Sequence, residues 1–189
     1  MWQLVVNTSH HHLSLALLKD GVFSDGINEI AFKTQSELIM VRLDELIKRN
    51  NIHIFDVNEL YIGIGPGSYT GVRIGLTVVK VLAILNKFDV YTFTSFDFAL
   101  VQDSGTAIMD ARSSRAYVGI KENSKWVFQG ILTIDELKER MIHPLVGDTS
   151  LVNCSDESKS FEVLCEHIVK VSTKVSDVHT IEPLYIKAL

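Results

Sequence analysis

Gly65-Pro66-Gly67-Ser68-Tyr69-Thr70-Gly71-Val72-Arg73-Ile74-Gly75 is the stretch on which the reading of this sequence turns. Before it, Glu59 to Gly65 is a short apolar run that reads as a strand; after it, Val72 to Phe88 has a helical pattern. A loop between strand and helix puts backbone amides at a helix N-terminus, where they can receive an anion. Glycine lets the chain turn tightly and approach another group closely. Ser68 and Thr70 add hydroxyls, and Arg73 falls in the first helical turn. The loop is neither a Walker motif, which ends in Gly-Lys-Ser/Thr, nor a dinucleotide fingerprint, which needs Gly where Thr70 stands. Two readings follow: a phosphate site, or a glycine turn that lets strand and helix pack closely. The general rules favour the second.

The helical stretch is apolar on nearly every side, with Ile74, Leu76, Val78, Val79, Val81, Leu82, Ala83, Ile84 and Leu85. A helix apolar all round is buried all round. In a chain of 189 residues one face can pack on its own sheet while another meets a partner. Asp89 to Thr94 reads as the next strand, which completes a βαβ unit and predicts a sheet with a parallel part.

Towards the N-terminus, Leu4-Val5-Val6 opens a strand, Thr8 to His12 form a polar turn, and Leu13 to Leu18 make a second strand. Asp20-Gly21 signals a type I′ hairpin leading to a third strand from Val22 and Phe23 towards Ile30 and Phe32. Thr34-Gln35-Ser36-Glu37 fits a capping box. Behind it Ile39, Leu43, Leu46 and Ile47 form one helical stripe, with Leu38, Met40 and Val41 left off it, and Asn50-Asn51 ends the helix. Towards the C-terminus, Thr106 to Asp110 and Ala116 to Ile120 read as paired strands about a turn at Arg112 to Arg115. A strand at Trp126 to Phe128, a helix at Ile134 to Met141, a strand end at Leu145 to Asp148 and a polar loop from Asn153 to Ser160 follow. A boundary near Ser95 divides an N-terminal lobe, 1–95, from a smaller C-terminal lobe, 96–189.

Composition narrows the function classes. The chain is 47% hydrophobic and 22% charged, with a net charge of -5. Gripping a phosphate backbone needs clustered Lys and Arg, so the chain is not expected to hold nucleic acid by itself. Cys154 and Cys165 are too few for a zinc site or a disulfide framework. Neither a signal peptide nor a run of roughly 20 apolar residues is visible, so a reduced, cytoplasmic protein without membrane contact is expected.

The full eleven-residue string closely resembles the Gly-Pro-Gly-Ser-Phe/Tyr-Thr-Gly-Leu/Val-Arg-Ile-Gly signature of the TsaB family, also called YeaZ. Leu4 to Ser9, Ser36-Glu37-Leu38, Met109-Asp110-Ala111-Arg112 and Glu182-Pro183-Leu184-Tyr185-Ile186 resemble further family segments in the same order. The resemblance is dense to about residue 120 and thin to about 180, where this chain is shortened. It implies an α/β, actin-like or Hsp70-like (ASKHA) ATPase fold: two related lobes with mixed sheets flanked by helices, the second shortened.

The resemblance also implies a role without catalysis. Family members resemble the catalytic subunit TsaD but lack its His-x-x-x-His metal motif, and no two of the seven histidines here stand four apart. Asn7 occupies a place where many relatives carry Asp, and an amide ligates hard cations less well than a carboxylate. Asp110 keeps a carboxylate at the family's Asp position, with local hairpin capping as the favoured reading. Gln35 stands where relatives have His, and His10-His11-His12 reads as an exposed turn. No catalytic or metal residues are expected. The candidate nucleotide positions are Asn7, Gly65, Gly67, Ser68, Thr70, Gly71 and Asp110, with weak ATP or ADP binding the only cofactor expectation. The implied role is a scaffold subunit of the tRNA threonylcarbamoyladenosine complex that binds TsaD, joined by TsaE, and forms a homodimer when alone. The expected partner surface is Leu38, Val41, Arg73, Leu76, Val79, Leu82 and Ala83. A nucleotide-binding regulator of the same fold, a divergent kinase and a peptidase are the rivals.

Overall fold

In a computed structural model, which describes residues 1–186, the chain builds two sheets. Strands β1 (Trp2–Asn7), β2 (His12–Lys19) and β3 (Val22–Ile30) form an antiparallel meander. The β2–β3 turn places Asp20 and Gly21 at φ +54° and +80°, as a type I′ turn demands. Helix α1 (Gln35–Arg49) leads to β4 (Val57–Gly63), parallel to β1, and α2 (Tyr69–Leu85) leads to β5 (Asp89–Phe93), parallel to β4. Helix α2 begins three residues before the expected Val72, because Ser68 caps it: its Oγ accepts the Gly71 amide at 3.1 Å.

Beyond α3 (Ser95–Ala99) the plan repeats in shortened form. Strands β6 (Gly105–Asp110), β7 (Arg115–Glu122) and β8 (Lys125–Thr133) form a second meander, α4 (Ile134–Arg140) follows, and β9 (Leu145–Gly147) lies parallel to β6. The strand order β8-β7-β6-β9 repeats β3-β2-β1-β4 of the first sheet. Asn7 and Asp110 are therefore equivalent: each ends the first strand of its meander. Helix α5 (Phe161–Val171) and β10 (Thr173–Lys174) then return to the first sheet, where β10 pairs with β5. Of the expected second lobe, 96–189, residues 161 to 174 pack on the first sheet.

Alternation along β1 explains its uninterrupted apolar run. Leu4 and Val6 face α1 and α2, while Val5 faces α5. On the first face Ile39, Leu43, Leu46 and Ile47 of α1 are all buried, as their spacing predicts. Each fully buried residue of this kind stabilises by about 1.5–3 kcal/mol. The opposite face is covered by α5 through Cys165 and Ile168.

The capping box at Thr34 does not form. Its side chain makes no cap hydrogen bond and its backbone sits at φ −112°, ψ +2°, away from the extended geometry of a helix cap. Gln35 is buried instead, and its amide donates to the carbonyls of Thr8, His10 and His12 at 3.3, 2.8 and 3.0 Å. The first turn of α1 is thus anchored on the β1–β2 turn.

Candidate functional site

Two surfaces stand out, a cleft between the sheets and the outer face of α1 and α2. In the cleft the glycine loop packs directly on the β1–β2 turn. A Cβ on Gly67 would lie 2.0 Å from the Ser9 carbonyl oxygen, and one on Gly71 would lie 2.1 Å from that of Thr8. The Ser68 amide donates to the Ser9 carbonyl at 2.7 Å, and the Gly71 amide is engaged by Ser68. A phosphate laid on this loop would have to displace Ser9, so the geometry is that of a packing turn.

The neighbouring polar groups are committed as well. Asn7 is buried, and its Oδ1 accepts from Ser9 N at 3.1 Å and Ser9 Oγ at 2.7 Å. Ser95 Oγ donates to Ser9 Oγ at 2.7 Å. Asp110 Oδ1 accepts the Arg112 amide at 2.7 Å, which caps a turn where Arg112, Ser113 and Ser114 all have positive φ. Among the described residues no three His, Cys, Asp or Glu side chains converge so as to hold a metal ion.

The cleft has one contact that the sequence reading missed. His10 Nε2 lies 2.9 Å from Asp148 Oδ2, and the same oxygen accepts the Asp110 amide at 2.7 Å. A carboxylate only accepts, so His10 Nε2 carries the hydrogen. Burial by itself would raise the Asp148 pKa, but the His10 and Asp110 hydrogen bonds outweigh it and hold the carboxyl below its ordinary range. His10 is therefore partly buried and bonded rather than an exposed turn residue; His11 remains exposed. On one side of this pair lies a chamber of about 340 Å³ walled by Phe98, Met109 and Phe161. On the other lies one of about 350 Å³, bordered by Ser68, Thr70, Asp110 and Arg112. Of the candidate nucleotide positions, Gly67, Ser68, Thr70 and Asp110 thus meet at one chamber, while Asn7 borders the other.

The expected partner surface divides. Leu76, Val79 and Leu82 are corrected: they are 4%, 0% and 7% exposed, because they face the sheet. Leu38 and Ala83 are half-buried, and Arg73 and Val41 are exposed. Four residues outside that set are exposed apolar groups on the same two helices, namely Met40, Val81, Ile84 and Leu85, with Ile84 and Leu85 63% and 66% exposed. An open groove of about 510 Å³ runs between the helices, lined by Met40, Ile39, Tyr69, Arg73, Ile74 and Val78.

The chain is similar to proteins of one biosynthetic system. A family model described as TsaD, tRNA N6-adenosine threonylcarbamoyltransferase, matches residues 25–136. The tRNA threonylcarbamoyladenosine biosynthesis protein TsaB of Haemophilus influenzae is 32% identical over 121 residues, 60% of this chain and 51% of that protein. TsaB of Bacillus subtilis is 28% identical over 165 residues, 78% of this chain and 72% of that one. The matched part thus spans about half the length of the Haemophilus relative. In fold, the chain is similar to YeaZ from Pseudomonas aeruginosa, with a TM-score of 0.77 at 19% identity, covering 98% of this chain and 99% of that one.

Proposed function

This chain belongs to the TsaB/YeaZ family, given its match to the TsaD family model and its TsaB relatives, and from that premise we propose that it serves tRNA threonylcarbamoyladenosine biosynthesis as a non-catalytic scaffold subunit. Its partner is the TsaD-type transferase, which it binds through α1 and α2; alone it pairs with itself through the same face, and TsaE and tRNA meet it only in the assembly. The observation that carries this reading is the exposure of Met40 and Val41 on α1 and of Val81, Ile84 and Leu85 on α2, each at least half exposed. Large apolar side chains exposed together on two packed helices are a mark of protein interfaces. In the cleft, the hydroxyls of Ser9, Ser68 and Ser95 are engaged by Asn7, the Gly71 amide and one another.

The test is light scattering coupled to size-exclusion chromatography, on the chain alone and mixed with the TsaD-type protein of the same genome. We expect a heterodimer with wild type and none with Ile84→Glu, because a carboxylate buried without a partner is costly. Ile84 is 63% exposed, so the variant keeps its melting temperature. Undiminished association of a folded Ile84→Glu protein refutes the reading. If wild type ignores the transferase but binds ATP, the chain is instead a nucleotide-dependent regulator.

A further inference from the structure

The C-terminal segment crosses α2 and delivers an aromatic residue to the proposed docking face. Leu184 N donates to the Ile64 carbonyl at 2.7 Å, and Lys80 Nζ donates to the His179 carbonyl at 3.1 Å. These bonds hold the strap along the helix. Tyr185 then stacks on Tyr69 with ring centroids 5.2 Å apart. The Arg73 guanidinium lies over the Tyr69 ring at 4.0 Å, and its Nε donates to the Tyr185 hydroxyl at 2.9 Å.

This arrangement is costly unless something uses it. Two tyrosines and an arginine are ordered on the surface, with Tyr69 56% and Tyr185 46% exposed. Among the described residues no carboxylate pairs with Arg73, whose polar contacts are to the Tyr185 and Tyr69 side chains. An arginine whose stem and plane are already held loses little further freedom when it binds, and its fork matches a carboxylate. Arg73 stands on the ridge between two open grooves, the apolar one against α1 and a second one bordered by Leu76, Pro183 and Tyr185.

We propose that Arg73, held flat by Tyr69 and Tyr185, is the charged anchor of the docking face and takes a carboxylate presented on an apolar segment of the partner protein. The inference rests on the scaffold reading and makes the C-terminal strap part of the interface. A protein carboxylate suits the site better than nucleic acid. The groove beside Arg73 is walled by Met40, Ile74 and Val78, the neighbouring Lys80 is engaged by a carbonyl, and the chain carries a net charge of -5. A phosphate backbone calls for several clustered cations.

The experiment is calorimetric titration of the TsaD-type protein with wild type, Arg73→Gln, Arg73→Lys, Tyr185→Phe and Ile84→Glu, at low and raised salt. We expect Arg73→Gln to weaken binding about tenfold or more and to flatten its salt dependence. Tyr185→Phe, which keeps the ring but releases Nε, weakens it several-fold, and Arg73→Lys recovers part of the loss. Melting temperatures report that each variant is folded. If Ile84→Glu abolishes binding while Arg73→Gln matches wild type in affinity and salt dependence, the anchor is wrong and the scaffold reading stands. If Ile84→Glu also binds as wild type does, both fall. Should Arg73→Gln leave partner affinity intact and lower only the affinity of the complex for tRNA, the surface belongs to nucleic acid and the proposal is overturned.

Discussion

At Gly71 the chain has room for a hydrogen atom and nothing larger, since a Cβ would press on the Thr8 carbonyl oxygen at 2.1 Å and on Gln35 Oε1 at 3.0 Å. The first of these is backbone, so it can yield only if the β1–β2 turn moves. Gly71→Ala is therefore expected to lower stability by about 1–3 kcal/mol, the usual cost of overpacking, although alanine is otherwise the better helix former. For a chain of this size that is a fall of about 2–10 °C in melting temperature. A thermal melt checks it, and an unchanged midpoint would show that the turn gives way freely. The eleven-residue string announced a glycine loop between strand and helix without naming what the glycines approach. Thr8 and Ser9 lie about sixty residues earlier, and no local pattern connects them to Gly67 and Gly71.

The elements were legible in proportion to their periodicity. Ile39, Leu43, Leu46 and Ile47 had one phase, and all four are buried. Helix α2 had none, because apolar residues surround it, so Val79 and Ile84 could not be told apart until the sheet showed which way each points. Helix α5 was readable and unread: Phe161, Leu164, Cys165 and Ile168 follow helical spacing. This helix carries a polar group with an acid sensitivity. His167 Nε2 is buried without a hydrogen-bond partner among the described residues, and its pKa is lowered by burial, then by Lys121, with Lys170 adding to that effect and Asp97 opposing it. The folded chain thus binds fewer protons at His167 than the unfolded chain does. Stability contributed by keeping it neutral is present above the ordinary histidine pKa of about 6.5 and is lost as pH falls through it. Wild type should therefore lose stability between about pH 7 and 5 more steeply than His167→Leu, by at most about 1.4 kcal/mol per pH unit for one proton. Parallel slopes in denaturant melts across that range would refute the assignment.

At the scale of the whole molecule, the two sheets repeat one plan, and the repeat explains why Asp148 matters. It follows β9 as the glycine loop follows β4, so the second lobe offers a carboxylate at the place where the first offers backbone amides. The His10–Asp148 hydrogen bond joins the turn after β1 to the end of β9, and it spans 138 positions of sequence, beyond the reach of any motif. Because Asp148 Oδ2 also receives the Asp110 amide, the carboxylate ties together the equivalent turns after β1 and β6. Its pKa is depressed by these two hydrogen bonds against the opposing effect of burial. A depressed carboxylate contributes stability above its unfolded pKa, and that contribution disappears as pH falls below about 4 and the group protonates. Asp148→Asn keeps the shape and removes the charge, so at pH 7 it should cost up to about 1.5–3 kcal/mol, the range for hydrogen bonds to a charged group. The difference from wild type should then shrink towards zero as pH falls from about 5 to 3. Urea melts of the two proteins across that range decide it. A constant difference would mean that Asp148 acts through shape alone, whereas convergence at acid pH would establish its charge as the link that holds one lobe against the other.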